Sequence, residues 1–320
     1  MTVSAIIPTY NRRKYIRRAI ESILAQTVPV DEIIVVDDGS TDGTADAVAE
    51  WFGNSIRIVR QENGGVAAAR WLGIREATGD WIAFLDSDDE WMPDRTRQLR
   101  DAAANVPGEV AWIFGDMQVV TDEGSATTLF GEHGLSVSKS PQVFPDALVV
   151  QFPFQFGLLQ GSFIRRDVLL ELGCFGERLR SDDDLLAGFQ VACRYKFAAI
   201  PSIVGKYFRT SDLSASSVVT NGVYGVDHFR SRMLAFELVV QSGRRTPWNM
   251  RYASEVRGLC KVLATRGAVP KGLALQQFRY GGYSLKGLGF FCAAMMGRRG
   301  ILAWDAVGEF RRNRRSQPQA

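Results

Sequence analysis

The sequence predicts an α/β domain on a mainly parallel sheet, followed by a basic helical extension. Three observations carry this. Over the first 90 residues, short apolar runs alternate with helix-period segments, the βαβ order that places helices on both faces of a parallel sheet. Hydrophobic residues are 46% of the 320, enough for one large core and an appendage. Charge is divided: residues 243–320 hold 15 Lys+Arg against 3 Asp+Glu, so they carry +12 and the rest −9 of the overall +3.

The elements follow in order. Val3–Ile7, closed by Pro8, reads as a buried strand. Ile16, Ala19, Ile20, Ile23 and Leu24 line one face of a helix over Lys14–Gln26, with Asn11 as its expected N-cap. Glu32–Val36 is a second strand, Asp37–Gly43 a turn and Thr44–Trp51 a helix. Ile56–Arg60, Gly65–Ala77 and Trp81–Leu85 continue as strand, helix and strand. Pro93–Asn105 reads as a helix with proline in its first turn, and Val110–Asp116 as a strand. Thr121–Ser140, rich in Gly, Ser and Thr, reads as a loop or hairpin. Ser162–Arg165, Asp167–Leu172, Asp183–Cys193, Lys196–Ile200 and Ile203–Arg209 follow as strand, helix, helix, strand and strand. From Asp227 onward the pattern is helical, broken at Pro247, Pro270 and near Gly281.

Several classes are set aside. No G-x-G-x-x-G is present, so the dinucleotide fingerprint is missing. Cys174, Cys193, Cys260 and Cys292 are scattered, without a C-x-x-C pair, and read as reduced core thiols. The N-terminal apolar run is too short for a secretory signal. The apolar stretch Leu288–Met296 falls well short of the ~20 residues a membrane span needs. Together these predict a cytoplasmic protein.

Ligands in parallel sheets bind beyond the carboxyl ends of the strands, and the polar clusters fall there. Asp86-Ser87-Asp88-Asp89 places three carboxylates in four positions after a strand, a pattern suited to a hard cation that bridges diphosphate oxygens. Alone it also fits a solvated acidic turn. Asp37-Asp38-Gly39-Ser40 offers strand-end acceptors for a base or ribose, or a plain turn and cap. Asn63-Gly64-Gly65-Val66-Ala67-Ala68-Ala69-Arg70 lets backbone approach a ligand at a helix start, with Arg70 placed to pair with a phosphate.

Taken jointly, Ile6–Asn11, Val35–Thr44, Asn63–Ile74 and Asp80–Asp89 resemble family 2 of the inverting glycosyltransferases in identity, order and spacing. The resemblance is specific over about residues 1–115 and continues more weakly to about 215. It implies a GT-A-type fold over 1–225, with a nucleotide-sugar-binding half at 1–115 and an acceptor half at 116–225, then the basic extension at 226–320. It implies a donor site of Pro8, Thr9, Tyr10, Asn11, Asp37, Asp38, Gly65, Arg70, Asp86 and Ser87. Thr9 and Asp38 would meet the nucleoside and Arg70 the diphosphate. Asp88, with Asp86, would hold Mn²⁺ or Mg²⁺. The run Ser181-Asp182-Asp183-Asp184 matches the place of the family's catalytic acidic pair, with Asp183 favoured as base and Asp182 second. The alternative is a triple acid that caps a helix at its positive end.

Two departures are visible. Trp71 stands where relatives often have asparagine, and Thr210 where some have a metal-binding histidine. Neither His133 nor His228 lies in a matching motif.

The implied reaction is metal-dependent transfer of a sugar, with UDP favoured as nucleotide, to a saccharide or lipid-linked acceptor in cell-surface polysaccharide or glycolipid synthesis. The basic extension, with aromatics such as Trp248, Phe290 and Trp304, suits peripheral attachment to the inner face of the cell membrane, or a helical subdomain with a solvated basic face. No nucleic-acid partner is expected, since no recognised module is present. A non-catalytic nucleotide-sugar binder and a sugar-phosphate nucleotidyltransferase are the alternatives. The second would show a glycine-rich basic loop where Pro8-Thr9-Tyr10-Asn11 stands.

Overall fold

The computed structural model describes residues 1–151, 159–176, 183–210 and a few residues between 234 and 242. By its internal contacts the chain divides into Met1–Val218 and Val219–Ala320. The first unit carries all the elements below. The expectations for the C-terminal extension, and for Asp182, fall outside the described residues.

The four expected strands form as β1 (Val3–Thr9), β2 (Glu32–Asp37), β3 (Arg57–Arg60) and β4 (Trp81–Phe84). β1 pairs in parallel with β2 and with β4, and β2 with β3. Val3 to Thr9 is buried at every position, as a strand covered on both faces requires. α1 (Ile16–Leu24), α2 (Thr44–Phe52) and α3 (Val66–Glu76) supply the crossovers, and α1 buries the predicted Ile16, Ala19, Ile20 and Ile23. A two-residue strand, β5 (Glu90–Trp91), leads into α4 (Arg95–Ala104).

The second half turns the sheet mixed. β6 (Val110–Thr121) runs five residues past the expected end and folds back as a hairpin with β7 (Gly124–Thr128). α5 (Leu129–His133), β8 (Gln142–Phe144) and α6 (Leu148–Gln151) follow, then β9 (Ser162–Arg165), α7 (Arg166–Leu172) and α8 (Asp183–Ala192). The two strands expected at 196–209 are one, β10 (Lys196–Arg209). Its pairing with β6 is irregular between Ala199 and Gly205, so Pro201 is accommodated at a break in the ladder instead of ending the strand. The order is β3-β2-β1-β4-β9-β6-β10-β5, with β9 antiparallel to both β4 and β6. Cys174 is buried and Cys193 half-buried. No helix among the described residues is long and apolar enough to cross a membrane.

One local expectation is corrected. Asn11 does not cap α1, which starts five residues later behind Tyr15 with no side-chain cap. Asn11 adopts a left-handed φ of 52° and bridges to the β2–α2 loop. Its N–H donates to Ser40 Oγ at 2.9 Å and its Oδ1 accepts from Thr41 N at 2.8 Å. Asparagine tolerates that backbone region better than most residues.

Candidate active site

The carboxyl ends of β1, β2 and β4 and the N-termini of α3 and α8 gather most of the predicted site residues. Pro8 is buried within β1, Thr9 is buried at its end, and Tyr10 is 47% exposed at the rim. Thr9 Oγ1 is buried without a partner among the described residues. Asp37 accepts from Ser40 N at 3.1 Å, which shapes the turn. The Asp38 carboxylate is committed to the chain itself. Its Oδ1 accepts from Gln61 Nε2 at 2.6 Å and Gly64 N at 2.8 Å, and its Oδ2 from Gly65 N at 2.8 Å. Asp38 thus pins the loop that opens α3. Gly65, at φ 89°, occupies a backbone region that side chains rarely adopt, and Gly39 lies so close to this loop that a Cβ would stand 3.0 Å from Asn63 N.

Arg70 lies one turn into α3 and is buried. Its Nη1 donates to Asp183 Oδ2 at 2.7 Å and its Nη2 to Asp86 Oδ1 at 2.9 Å. Burial alone would lower the guanidinium's pKa, but Asp183, Asp86 and Asp184 together raise it. Arg70 therefore joins two carboxylates that are 97 positions apart in the sequence. Asp183, the first residue of α8, is buried with it. Its Oδ1 takes no hydrogen bond from a described residue.

The acid turn after β4 is built in layers. Ser87 is buried, and Asp86 closes the turn by accepting Asp89 N through its backbone carbonyl. Asp86 Oδ2 accepts from Gln160 Nε2, so both its oxygens are engaged. Asp89 is 1% exposed. Its Oδ1 accepts from Phe208 N at 2.9 Å, while Oδ2 is buried without a partner among the described residues. Burial, with Asp86 and Asp88 beside it, pushes Asp89 well above the carboxylate range. Burial and Asp86 push Asp88 up to about 6, against the weaker pull of Arg12 and Arg18. Behind the turn, Arg18 of α1 donates to Asp88 O at 2.7 Å, pairs with Glu90 at 2.8 Å and stacks on Phe208.

Among the described residues no group of three or more His, Cys, Asp or Glu is arranged to hold a metal ion. The donor set instead fits a shared cation. Asp88 is a half-buried carboxylate to which no other described residue donates a side-chain hydrogen bond, and burial with Asp86 beside it raises its pKa more than Arg12 and Arg18 lower it. A hard cation that draws its other ligands from phosphate and water would supply that charge.

Sequence reasoning missed Arg18, Arg95, the buried role of Asp89 and the contact that Gln160 makes. Gln160 stands just ahead of the predicted strand Ser162–Arg165, and no local pattern marks its amide as the partner of a residue 74 positions earlier.

Comparison with known proteins agrees with this architecture. The glycosyl transferase family 2 model matches residues 4–147. The chain is 32% identical over 242 residues to the succinoglycan biosynthesis protein ExoO of Rhizobium meliloti, spanning 73% of this chain and 67% of that protein. It is 32% identical over 194 residues to an uncharacterized glycosyltransferase of Rickettsia felis. That match covers 59% of this chain and only 31% of the length of the Rickettsia protein. Among solved structures, S. aureus TarS 1–349 in complex with UDP-GlcNAc superposes with a TM-score of 0.67 at 19% identity, covering 98% of this chain and 92% of that one. At that identity the likeness speaks for the fold.

Proposed function

The chain belongs to glycosyl transferase family 2, and we propose that it moves a sugar from a nucleotide diphosphate donor, a UDP-sugar first among them, to an acceptor hydroxyl with inversion. The observation that carries this reading is Arg70, which holds Asp86 of the acid turn and Asp183 of α8 on one buried guanidinium. That contact supports a reading with the base beside the donor ligands at the carboxyl edge of the sheet, where such folds bind nucleotides.

In this reading Thr9 and Asp37 face the nucleoside, and Asp38 fixes the 61–65 loop around it. Asp88, with Asp86 beside it, would hold Mn²⁺ or Mg²⁺. The bound cation would supply electrostatic stabilisation of the departing diphosphate. Asp183 Oδ1 takes the acceptor hydroxyl's proton as that oxygen bonds to the anomeric carbon and the bond from the carbon to the diphosphate breaks. Arg70 orients Asp183 through Oδ2 and keeps positive charge within the site. The succinoglycan name of the Rhizobium relative supports a saccharide acceptor in polysaccharide synthesis. The TarS complex with UDP-GlcNAc supports a UDP donor. The basic residues 243–320 support peripheral attachment to an anionic membrane, which anionic liposomes at low salt would reveal as salt-sensitive cosedimentation.

The test is a thermal-shift panel of UDP-, GDP-, dTDP- and CMP-sugars with Mn²⁺, Mg²⁺ or EDTA, on wild type and Asp88→Ala. A metal-dependent rise with UDP-sugars, lost in the variant, is expected. A rise with no nucleotide would leave the fold without the activity. A donor-dependent rise without release of UDP in the presence of acceptors would favour a non-catalytic binder.

A further inference from the structure

Arg95, the first residue of α4, is a fully buried guanidinium with no carboxylate partner among the described residues. Nη2 donates to Ser162 O at 2.7 Å and to Gln160 O at 3.2 Å. The guanidinium lies 3.8 Å from the ring centre of Trp91 and 5.1 Å from that of Phe163. Nε and Nη1 are buried without a partner among the described residues. A buried charge with no counter-charge is costly, and an apolar side chain of the same length would suit such a core better. The two aromatic faces offset part of that cost. What an apolar residue could not do is reach from α4 to the two carbonyls that open β9.

One of those carbonyls is Gln160's own and the other lies two residues on, so Arg95 holds the backbone at the base of the Gln160 side chain, whose Nε2 donates to Asp86 Oδ2. The segment is tight on its other side as well. Gly115 N donates to Gly161 O at 3.0 Å, and a Cβ on Gly161 would stand 2.9 Å from Gly115 O. Asp86 Oδ1 is held by Arg70. The acid is thus clamped at both oxygens, one clamp from α3 and the other from a chain of contacts that ends at Arg95.

We propose that Arg95 and Gln160 are positioning residues that hold the Asp86 carboxylate in the orientation the donor meets. This rests on the donor reading above. Neither residue touches the reacting atoms; Arg95 acts through Gln160, and Gln160 through Asp86. Misplacing a group at a site of this kind by about 1 Å costs up to about a hundredfold.

Two measurements test it on the full chain. The first is titration calorimetry of UDP with Mn²⁺ against wild type, Arg95→Lys, Gln160→Leu and the double variant. Each single variant is expected to bind about tenfold more weakly, and the double no more weakly than Gln160→Leu. Losses that multiply in the double variant, or wild-type affinity in Gln160→Leu, would overturn the proposal. The second needs no donor: thermal melting of Gln160→Leu, Asp86→Ala and their double. The Gln160 change is expected to cost clearly less in the Asp86→Ala background, and additive losses would show that the clamp is not formed. A wild type that gives no heat with UDP and Mn²⁺ sinks the donor reading, and the purpose assigned to the clamp with it, while the melting cycle still decides whether the clamp exists.

Discussion

The amino ends of the parallel sheet and the Asp88–Asp89 part of the acid turn at its carboxyl end treat carboxylates in opposite ways. At the amino ends, each acid is satisfied by the chain. Glu32 accepts from Ser4 Oγ, Thr78 N, Thr78 Oγ1 and Gly79 N. Asp31 accepts from Val3 N and Arg100, and Asp80 from Thr2 N and Oγ1. Burial alone would raise Glu32, but those bonds outweigh it and hold its pKa below the usual value; the Thr2 bonds do the same for Asp80. In the acid turn, burial and neighbouring carboxylates push Asp88 up to about 6 and Asp89 well above the carboxylate range. Asp89 Oδ2 is left without a partner among the described residues. The first arrangement stabilises the fold. The second costs stability, which is how binding sites commonly differ from scaffolds.

The largest effect that sharpens this contrast is on turnover. Asp183→Asn keeps the side chain's shape and an acceptor for Arg70 but removes the base. UDP release in the presence of acceptor should fall by about 10²–10⁴-fold while the donor-induced thermal shift persists. Asp182→Asn, measured alongside, should change turnover far less. The reverse ranking would move the base by one residue. Next is Asp88→Asn. It removes a half-buried charge that no described side chain bonds, so in EDTA the variant should melt no lower than wild type and up to about 1 kcal/mol higher. The metal-dependent shift with UDP should vanish. A variant that melts several degrees lower would make Asp88 a scaffold acid, and the contrast between the two ends would break. At the other end, Glu32→Ala strands the N–H of Thr78 and leaves that of Gly79 with Ser4 Oγ alone, itself deprived of its acceptor. It should lose about 2–3 kcal/mol by chemical denaturation, with donor affinity at wild-type level in the folded protein.

How much of this was legible in the sequence follows the range of the interactions. β1 to β4 and α1 to α3 were readable because each carries its own periodicity over several residues. β5 and β8, at two and three residues, have no room for a period, and Lys196–Arg209 looked like two strands because Pro201 interrupts it. Asp86, Asp88 and Arg70 stood out through a known motif order, but what they bond did not. Asp38 meets donors up to 27 positions away, and Arg70 meets Asp183 at a separation of 113. Arg95 was invisible for another reason: an arginine in a polar helix start reads as solvated, and only the tertiary structure shows it fully buried.

The smallest predicted effect is the most specific to the amino-terminal end. Glu32→Gln keeps an acceptor oxygen for its partners but removes the charge that strengthens those bonds, so at pH 7 it should cost about 1 kcal/mol. The sign of its pH dependence is fixed by the direction of the shift. The folded pKa lies below the ordinary 4.5 of a glutamate. The unfolded chain therefore takes up the proton first as pH falls, and the charged form's contribution, complete above 4.5, is lost as pH passes down through the folded value. Melting wild type and Glu32→Gln side by side from pH 7 to pH 3 should show a gap that is constant above 4.5 and narrows as pH falls below it. Other acids at this end, Asp80 among them, titrate in both proteins and cancel in the difference. A gap as wide at pH 3 as at pH 7 would mean that the charge of Glu32 contributes nothing, and that shape alone makes the amino-terminal end the stable one.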